Sequence, residues 1–159
     1  MFGVEGHDTV SRTILAIDPG TTESGFAILK GTEIVASGKL PNDAMMERVR
    51  YSYLTIDDLV IERVASYGMS VGQEVFDTCV WIGRFQQGWL YPDRVHLIFR
   101  KDVKIHVCNN GNAKDKNVRQ AMLDMFGAPG TKKNPGATYG ITGDAWQALA
   151  LAVTFRDRW

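Results

Sequence analysis

The feature that most constrains the fold is an apolar run that ends abruptly in an acidic residue. Residues 12–17 are mostly apolar, Asp18 follows them, and a turn of small residues leads into a second apolar run that ends at Leu29. A short run rich in Ile and Leu, bounded by turn residues, is typical of a buried β-strand. We therefore predict that Asp18 lies at the end of a strand, at the edge of a sheet.

Two more acidic residues occupy comparable positions. Glu62 ends the apolar run of residues 59–61, and Asp144 opens a helical run of residues 144–153. Carboxylates from distant parts of a chain are ligands that hard cations such as Mg²⁺ prefer. Each acid alone could equally be a solvated strand end, and Asp144 could serve only to stabilise a helix N-terminus. Together the three acids indicate a divalent-metal site.

The periodicity of the remaining chain predicts an α/β fold. Strand patterns occupy residues 12–18, 25–29, 34–38, 59–64 and 94–99. Helical patterns occupy residues 42–54, where Asn42 and Asp43 can cap the helix, and residues 71–90, 113–126 and 142–155. The first three strands follow one another closely, with a hairpin turn at Lys30 and Gly31, so we expect them to be antiparallel. Residues 127–140 contain four Gly and two Pro, which predicts a loop.

Length and composition predict one domain in a reducing compartment. The chain has 159 residues, 45% of them hydrophobic, enough for one compact core over residues 1–159. Its two cysteines, Cys79 and Cys108, form no paired motif and no zinc-site spacing. The sequence has neither an apolar run long enough to cross a bilayer nor the pattern of a secretion signal. We expect a cytoplasmic protein with no membrane partner.

Charge is balanced overall but is unevenly distributed. The chain has 18 Lys plus Arg and 18 Asp plus Glu, yet residues 100–133 contain eight basic and three acidic residues, a local charge of +5. The remaining residues therefore carry −5. A basic stretch is often only a solvated face. Beside an acidic metal site, however, it also suits contact with the phosphates of a nucleic acid.

Three segments carry a family signal when they are taken in order. They are IDPGTTESG at residues 17–25, VIERV at residues 60–64 and DAWQALALA at residues 144–152. Together they resemble RuvC-type Holliday junction resolvases of the RNase H-like superfamily, in particular the compact versions carried by bacteriophages. The resemblance covers residues 12–155. It implies an RNase H-like α/β fold, with a mixed five-stranded sheet of three antiparallel and then parallel strands, flanked by helices.

The resemblance also implies a chemistry. Proteins of this family hydrolyse phosphodiester bonds with two divalent ions, Mg²⁺ or Mn²⁺, held by acidic side chains. Asp18 would bridge the two ions as a catalytic ligand. Glu62 and Asp144 would complete the site.

One position departs from the family pattern. The last helix of the family usually carries a second acid three residues after the first, and that position is Gln147 here. Three carboxylates suffice, or the ions are held more weakly, or the Gln147 amide positions a water molecule as part of the metal site. Asp57 and Asp58 could supply the missing charge in principle, but they belong to the opposite end of the fourth strand.

Five lysines are predicted to contact DNA. By the resemblance, Lys104 and Lys116 lie near the scissile phosphate, where a positive charge stabilises the transition state. Lys114 is a rival for the position of Lys116. Lys132 and Lys133 are predicted to follow the DNA backbone from the loop at residues 127–140. A solvated surface lysine is the alternative for each of them.

Two aromatic features suggest further contacts. Residues 66–69 follow the Glu62 strand, and Tyr67 is predicted to enter the unstacked bases of a DNA branch point. Trp81, Phe85 and Trp89 lie four residues apart on the long helix. They are either core residues or an exposed ridge. By the resemblance, this helix helps to build a homodimer, which would set two active sites on opposing strands of a four-way junction.

The resulting prediction is a metal-dependent endodeoxyribonuclease that cleaves branched DNA, with four-way junctions as the first choice. The alternatives are a nuclease of forks or flaps and a catalytically weak junction-binding relative, which Gln147 favours. Sugar kinases and actin-like ATPases also place Asp-x-Gly-Thr after a strand to hold ATP phosphates, but they need two such domains. We therefore expect no nucleotide cofactor, and a location in the host cytoplasm if the gene belongs to a phage.

Overall fold

The computed structural model describes residues 11–159 and is built around one β-sheet. Its strands are β1 (Thr13–Asp18), β2 (Glu23–Lys30), β3 (Glu33–Pro41), β4 (Asp58–Arg63) and β5 (Val95–Phe99). The strand order is β3-β2-β1-β4-β5, with β1, β2 and β3 antiparallel, and with β4 and β5 parallel to β1. The predicted mixed five-stranded sheet is confirmed.

Five α-helices flank the sheet. They are α1 (Asn42–Tyr51), α2 (Gln73–Gly88), α3 (Arg100–Cys108), α4 (Asp115–Phe126) and α5 (Asp144–Arg158). Four of them were predicted with shifted ends, but α3 was missed because its polar sequence buries only Val103 and therefore shows little apolar periodicity. Leu54, predicted as part of α1, lies in a 3₁₀ turn after it and is exposed. Among the helices of residues 11–159, none has the length and apolarity that a bilayer crossing requires.

Alternation along the strands directs side chains into two cores, one on each face of the sheet. On β1, Leu15 and Ile17 pack with residues of α1 and α2, whereas Ala16 packs with residues of α3, α4 and α5. On β4, Leu59 and Ile61 likewise pack on the side of α1 and α2, and Val60 packs on the side of α5. Because side chains alternate with a period of two, Asp18 and Glu62 project to the face that α5 covers.

Helix α5 lies very close to the sheet. Residues 145–155 are all buried, and four alanines among them allow a short distance between the helix and the strands. The closest approach is at Gly25, which pairs with Asp18 across β1 and β2. A Cβ atom added to Gly25 would lie 2.7 Å from Asp144 Cβ and 2.8 Å from the Asp144 carbonyl carbon. The absence of a side chain at Gly25 therefore allows Asp144 to lie beside Asp18.

The three aromatic residues at positions 81, 85 and 89, on α2 and directly after it, belong to the core. Phe85 and Trp89 are buried, and Trp81 is partly buried with its ring centroid 5.8 Å from that of Phe85. Burial therefore explains their spacing, and they do not form an exposed ridge. The exposed side of α2 instead presents Phe76 and Val80, which are 56% and 60% exposed.

Candidate active site

Three strand ends meet at one edge of the sheet. Because β1, β4 and β5 are parallel, their carboxyl ends lie side by side, where α/β proteins commonly bind ligands. Asp18 ends β1, Glu62 is the last but one residue of β4, and Arg100 follows β5 directly as the first residue of α3. Asp144 begins α5 at the same edge, above Gly25. The structure thus brings together the three predicted acids.

The turn that follows Asp18 is braced by a short hydrogen-bond network. Ser24 Oγ donates to Asn42 Oδ1 at 2.6 Å, and Asn42 Nδ2 donates to the Gly20 carbonyl at 2.9 Å. The Gly20 N–H donates to Ser24 Oγ at 3.2 Å. The prediction that Asn42 caps α1 is wrong, because Asn42 is the first residue of α1 and its side chain holds this turn instead. The network fixes the backbone that presents Asp18.

Arg100 lies between the two buried carboxylates. Asp18 and Glu62 are 7% and 8% exposed. Arg100 Nε is 2.8 Å from Glu62 Oε1, and Arg100 Nη2 is 3.6 Å from Asp18 Oδ1. The Nε–H forms no well-aligned hydrogen bond within residues 11–159, so its close contact with Glu62 is an ion pair of poor hydrogen-bond geometry. The guanidinium therefore offsets the negative charge without saturating the carboxylate oxygens.

Both buried carboxyl groups resist ionisation. Burial raises the pKa of Asp18 to about 8, with a further increase from the neighbouring charge of Glu62 and a decrease from Arg100. Burial also raises the pKa of Glu62, against the opposing effect of Arg100 and Lys104. A divalent cation would reverse this balance, because its charge favours the ionised form of both groups.

The carboxylate of Asp144 is paired with a lysine of β3. Its Oδ2 lies 3.1 Å from Lys39 Nζ, which is also 3.1 Å from Glu23 Oε1. Gln147, one turn further along α5, is buried. In the part of the chain that the structure describes, no three Asp, Glu, His or Cys side chains are grouped closely enough to hold an ion as they stand.

The residues nevertheless fit a divalent ion in donor type. Asp18 and Glu62 offer buried carboxylate oxygens on one face of the sheet, and hard cations prefer such ligands. Asp144 lies at the same sheet edge, and its carboxylate is paired with Lys39. Arg100 and Lys39 now supply the positive charge at these acids.

Asp115 is a further acid beside the site, and sequence reasoning missed it. It is the first residue of α4 and lines the same concavity as Asp144 and Gln147. Its negative charge contributes to the raised pKa of both Asp18 and Glu62. Nothing in the sequence separates Asp115 from an ordinary helix-start acid, because its closeness to β1 and β4 depends on the packing of α4.

Two of the predicted lysines flank the acids. Lys104, on α3, lies close enough to Glu62 to lower the pKa of that carboxyl group. Lys116, on α4, lines the concavity that also contains Asp144. Lys114 immediately precedes α4, and its backbone N–H donates to Asn117 Oδ1 at 2.9 Å.

The remaining two lysines lie in the loop between α4 and α5. Lys132 and Lys133 are exposed there, within a turn closed by the hydrogen bond from the Thr131 N–H to the Asn134 carbonyl at 3.1 Å. The predicted loop at residues 127–140 is confirmed, with a single bridge between Gly130 and Pro135. The roles of all five lysines in DNA contact stay predictions.

Tyr67 stands at the mouth of the acidic site. It lies in the loop between β4 and α2, is exposed, and has φ of +50°, a left-handed conformation that residues other than glycine rarely adopt. It lines a concavity of about 470 Å³ together with Asp18, Glu62 and Arg100. Lys101 Nζ lies 5.7 Å from the centre of its ring. The loop therefore presents an aromatic ring and a positive charge together.

Comparison with known proteins adds the fold family. No protein-family model and no curated protein sequence matches the chain. The structure of Thermus thermophilus RuvC is similar, with a TM-score of 0.63 and 16% identity over 89% of this chain and 92% of that one. T. thermophilus RuvC in complex with a Holliday junction substrate gives a TM-score of 0.67 and 16% identity over 90% of this chain and 92% of that one.

This chain has a RuvC-like fold. The RuvC-like fold confirms the architecture that the three sequence motifs implied. The similarity covers about nine-tenths of the chain.

Proposed function

We propose that this protein is a divalent-metal-dependent endodeoxyribonuclease that cleaves branched DNA, with four-way junctions as its first substrate. The observation that carries the proposal is the pair of buried, incompletely partnered carboxylates, Asp18 and Glu62, beside Asp144 in a RuvC-like fold. Buried carboxyl groups with a raised pKa in a concavity are typical of functional sites. The solved complex of T. thermophilus RuvC with a Holliday junction substrate supports the choice of DNA.

In this proposal the acids hold two Mg²⁺ ions, or Mn²⁺ in their place. Asp18, Glu62 and Asp144 would hold them through their carboxylate oxygens, and Gln147 could add an amide oxygen. Ions bound there would supply an activated water molecule and stabilise the departing oxygen of the phosphodiester. The braced turn after Asp18 would keep the central ligand in place.

The surrounding residues would bind and orient the DNA. Lys104 beside Glu62 and Lys116 beside Asp144 put positive charge on two sides of the acids, which would attract the scissile phosphate and stabilise transition-state charge. Tyr67 at the mouth of the site would stack on bases at the branch point. Lys132 and Lys133 would contact the backbone further away.

A homodimer would allow paired incision of a four-way junction. The exposed side of α2 carries Phe76, Val80 and Gly83 at helical spacing, with open space above Gly83. An exposed apolar stripe of this kind is typical of a contact surface. In the proposed two-fold dimer each copy would offer the same stripe to the other.

The dimer proposal predicts that Val80→Glu yields a monomer. A buried unpaired charge in each half of a symmetric contact is costly, so the wild type should sediment as a dimer and the variant as a monomer. On a four-way junction the variant should nick single strands while losing paired cuts. A wild type that remains monomeric at all accessible concentrations would remove this part of the proposal.

The main test is a panel of labelled four-way junctions, forks, flaps and plain duplexes with Mg²⁺ or Mn²⁺. Wild type is compared with Asp18→Asn and with the matched control Asp124→Asn, which changes an exposed acid on α4 that is hydrogen-bonded to Gln120. Junction cleavage by wild type and Asp124→Asn, but not by Asp18→Asn, is the expected result. Equal cleavage by Asp18→Asn would contradict the proposal.

Two other outcomes would select the alternatives. Preferential cleavage of forks or flaps over four-way junctions would identify a nuclease whose substrate is a fork or a flap. Tight junction binding without cleavage by the wild type in either metal would identify a junction-binding protein, a function favoured by Gln147 and by the position of Arg100 between the carboxylates.

A further inference from the structure

We propose that Arg100 occupies the cation position of this site in the metal-free protein, and that a divalent ion and the Arg100 guanidinium exclude one another there. The inference rests on the proposed metal-dependent function. Beyond that function, it assigns to Arg100 a role in setting the affinity of the site for divalent ions.

The backbone fixes Arg100 at the carboxyl ends of the parallel strands. Arg100 follows β5 directly and begins α3, so no linker separates it from the sheet edge. Its side chain reaches Glu62 at 2.8 Å and Asp18 at 3.6 Å. These are the two acids whose oxygens a divalent ion would need. A single guanidinium therefore stands where an ion between the two acids would bind.

The contact of Arg100 with these acids is electrostatic rather than a well-formed hydrogen-bonded pair. Arginine and a carboxylate form their strongest pair through two parallel hydrogen bonds. Here the Arg100 Nε–H has no hydrogen-bond partner in residues 11–159, although Glu62 lies within 2.8 Å. Charge holds the side chain in place, so a ligand of higher charge can replace it.

Arg100 and a divalent ion would repel each other strongly within the site. Both would lie against the same oxygens of Asp18 and Glu62, in surroundings where burial weakens the screening of charge. One divalent ion already offsets the combined charge of Asp18 and Glu62, so a guanidinium at the same oxygens would add further positive charge directly beside the ion. Displacement of the guanidinium therefore makes the binding free energy of the ion more favourable.

A second position for Arg100 lies next to the site. Its side chain is 42% exposed, and it also lines the adjacent concavity with Lys101, Lys104 and Tyr67. A guanidinium that joins these lysines would help to form a basic surface suited to a DNA phosphate, which arginine binds in a bidentate manner. Metal uptake would thereby release a phosphate ligand, and metal and DNA binding would favour each other.

The test is a calorimetric titration of the DNA-free protein with Mn²⁺. We expect Arg100→Gln to bind Mn²⁺ on the order of tenfold more tightly than the wild type, because a competing cation is gone. The matched control is Arg63→Gln, which removes the same charge one residue after Glu62, from a guanidinium stacked 5.0 Å from the Phe99 ring centre. Arg63→Gln should match the wild type, Asp18→Asn should lose binding, and Arg100→Lys should return affinity towards the wild-type value.

Unchanged or weaker Mn²⁺ binding by folded Arg100→Gln would overturn the proposal, since Arg100 and the ion would then coexist. If the wild type binds Mn²⁺ and cleaves junctions while Arg100→Gln binds equally, only this inference fails. If the wild type neither binds Mn²⁺ nor cleaves, the proposed function fails with it. Circular dichroism checks that each variant is folded.

An NMR titration of the wild-type protein tests the same proposal without relying on the folding of an Arg100 variant. The ¹⁵N NMR signal of Arg100 Nε should move as Mg²⁺ is added to the wild type, and it should stay in place in Asp18→Asn. The Arg63 signal serves as the internal reference. A stationary Arg100 signal at saturating Mg²⁺ would overturn the proposal.

Discussion

Buried carboxylates lie at both ends of β4, and their surroundings differ. At the start of the strand, Asp58 is 1% exposed and accepts hydrogen bonds from Arg12 Nε at 2.5 Å and Nη2 at 2.9 Å, with His96 Nε2 at 3.1 Å. At the other end, Glu62 shares the guanidinium of Arg100 with Asp18, and the Nε–H of that group has no hydrogen-bond partner in residues 11–159.

The difference between the two ends lies in the number and alignment of hydrogen bonds to the carboxylate rather than in its burial. Asp58 and Glu62 are four residues apart on one strand and therefore project to the same face of the sheet. The bonds to Asp58 join β4 to Arg12 and β5, so that end stabilises the fold. A buried carboxylate without such bonds costs stability. The end that holds Asp18 and Glu62 therefore lacks the stabilising hydrogen bonds of the Asp58 end, as the proposed metal-dependent function requires of a site that binds a further ligand.

The strongest test of this comparison measures both cleavage and stability for one substitution at each end of β4. Asp18→Asn should lower junction cleavage by about 10³-fold or more, while its free energy of unfolding in metal-free buffer stays equal or increases. Asp58→Asn should lower the free energy of unfolding by about 2 kcal/mol, a decrease in Tm of about 6 °C, because it loses charge-assisted hydrogen bonds.

Urea unfolding and cleavage assays below the Tm measure both effects. Asp58→Asn should cleave at a rate near that of the wild type at these temperatures. Equal destabilisation by the two substitutions would show that the two ends of β4 do not differ in the proposed way.

The pH dependence of stability should also distinguish the two ends. Since the pKa of Asp18 is raised to about 8, the folded state holds its proton more tightly than the unfolded state. The metal-free wild type should therefore lose stability relative to Asp18→Asn as pH rises from about 4 to about 8, by several kcal/mol and about 5 kcal/mol at most.

Unfolding in urea with EDTA, from pH 5 to pH 8.5, measures this difference. Mg²⁺ should reduce the loss of stability of the wild type at high pH. The ion binds the ionised carboxylates of the folded protein, and this binding stabilises the folded state most at the higher pH. A difference between the two proteins that stays constant over this range would contradict the raised pKa of Asp18.

A smaller effect is expected from a fourth carboxylate at the metal end. Gln147→Asp adds a negative charge one turn after Asp144, so it should lower the Mg²⁺ concentration needed for half-maximal cleavage, by about tenfold or less. The matched comparison is Gln120→Asp on the exposed side of α4, which should leave that concentration unchanged. An unchanged Mg²⁺ requirement in Gln147→Asp would indicate that the acids already present suffice.

The sequence was informative where a pattern is local. Apolar runs that end in acids located Asp18 and Glu62 at strand ends, and the motif order implied the fold that the structure confirms. The prediction that Asp57 and Asp58 lie at the opposite end of β4 is also confirmed, since Asp57 accepts from the Thr13 N–H at 2.8 Å.

Contacts between distant elements were not predictable in the same way. Arg100 was only one of eight basic residues in a charged stretch, because its partners Asp18 and Glu62 are 82 and 38 positions away in the sequence. The weak periodicity of α3 also hid the fact that Arg100 begins a helix at the sheet edge.

The close contact between α5 and the sheet has a consequence for residues that have no reactive group of their own. A methyl group at Gly25 would meet the backbone of Asp144 at less than van der Waals separation. Helix α5 would have to lift from β2, and the opening between Asp144 and Asp18 would widen. The distance between Asp144 and Asp18 therefore depends on a missing side chain as well as on the acids themselves.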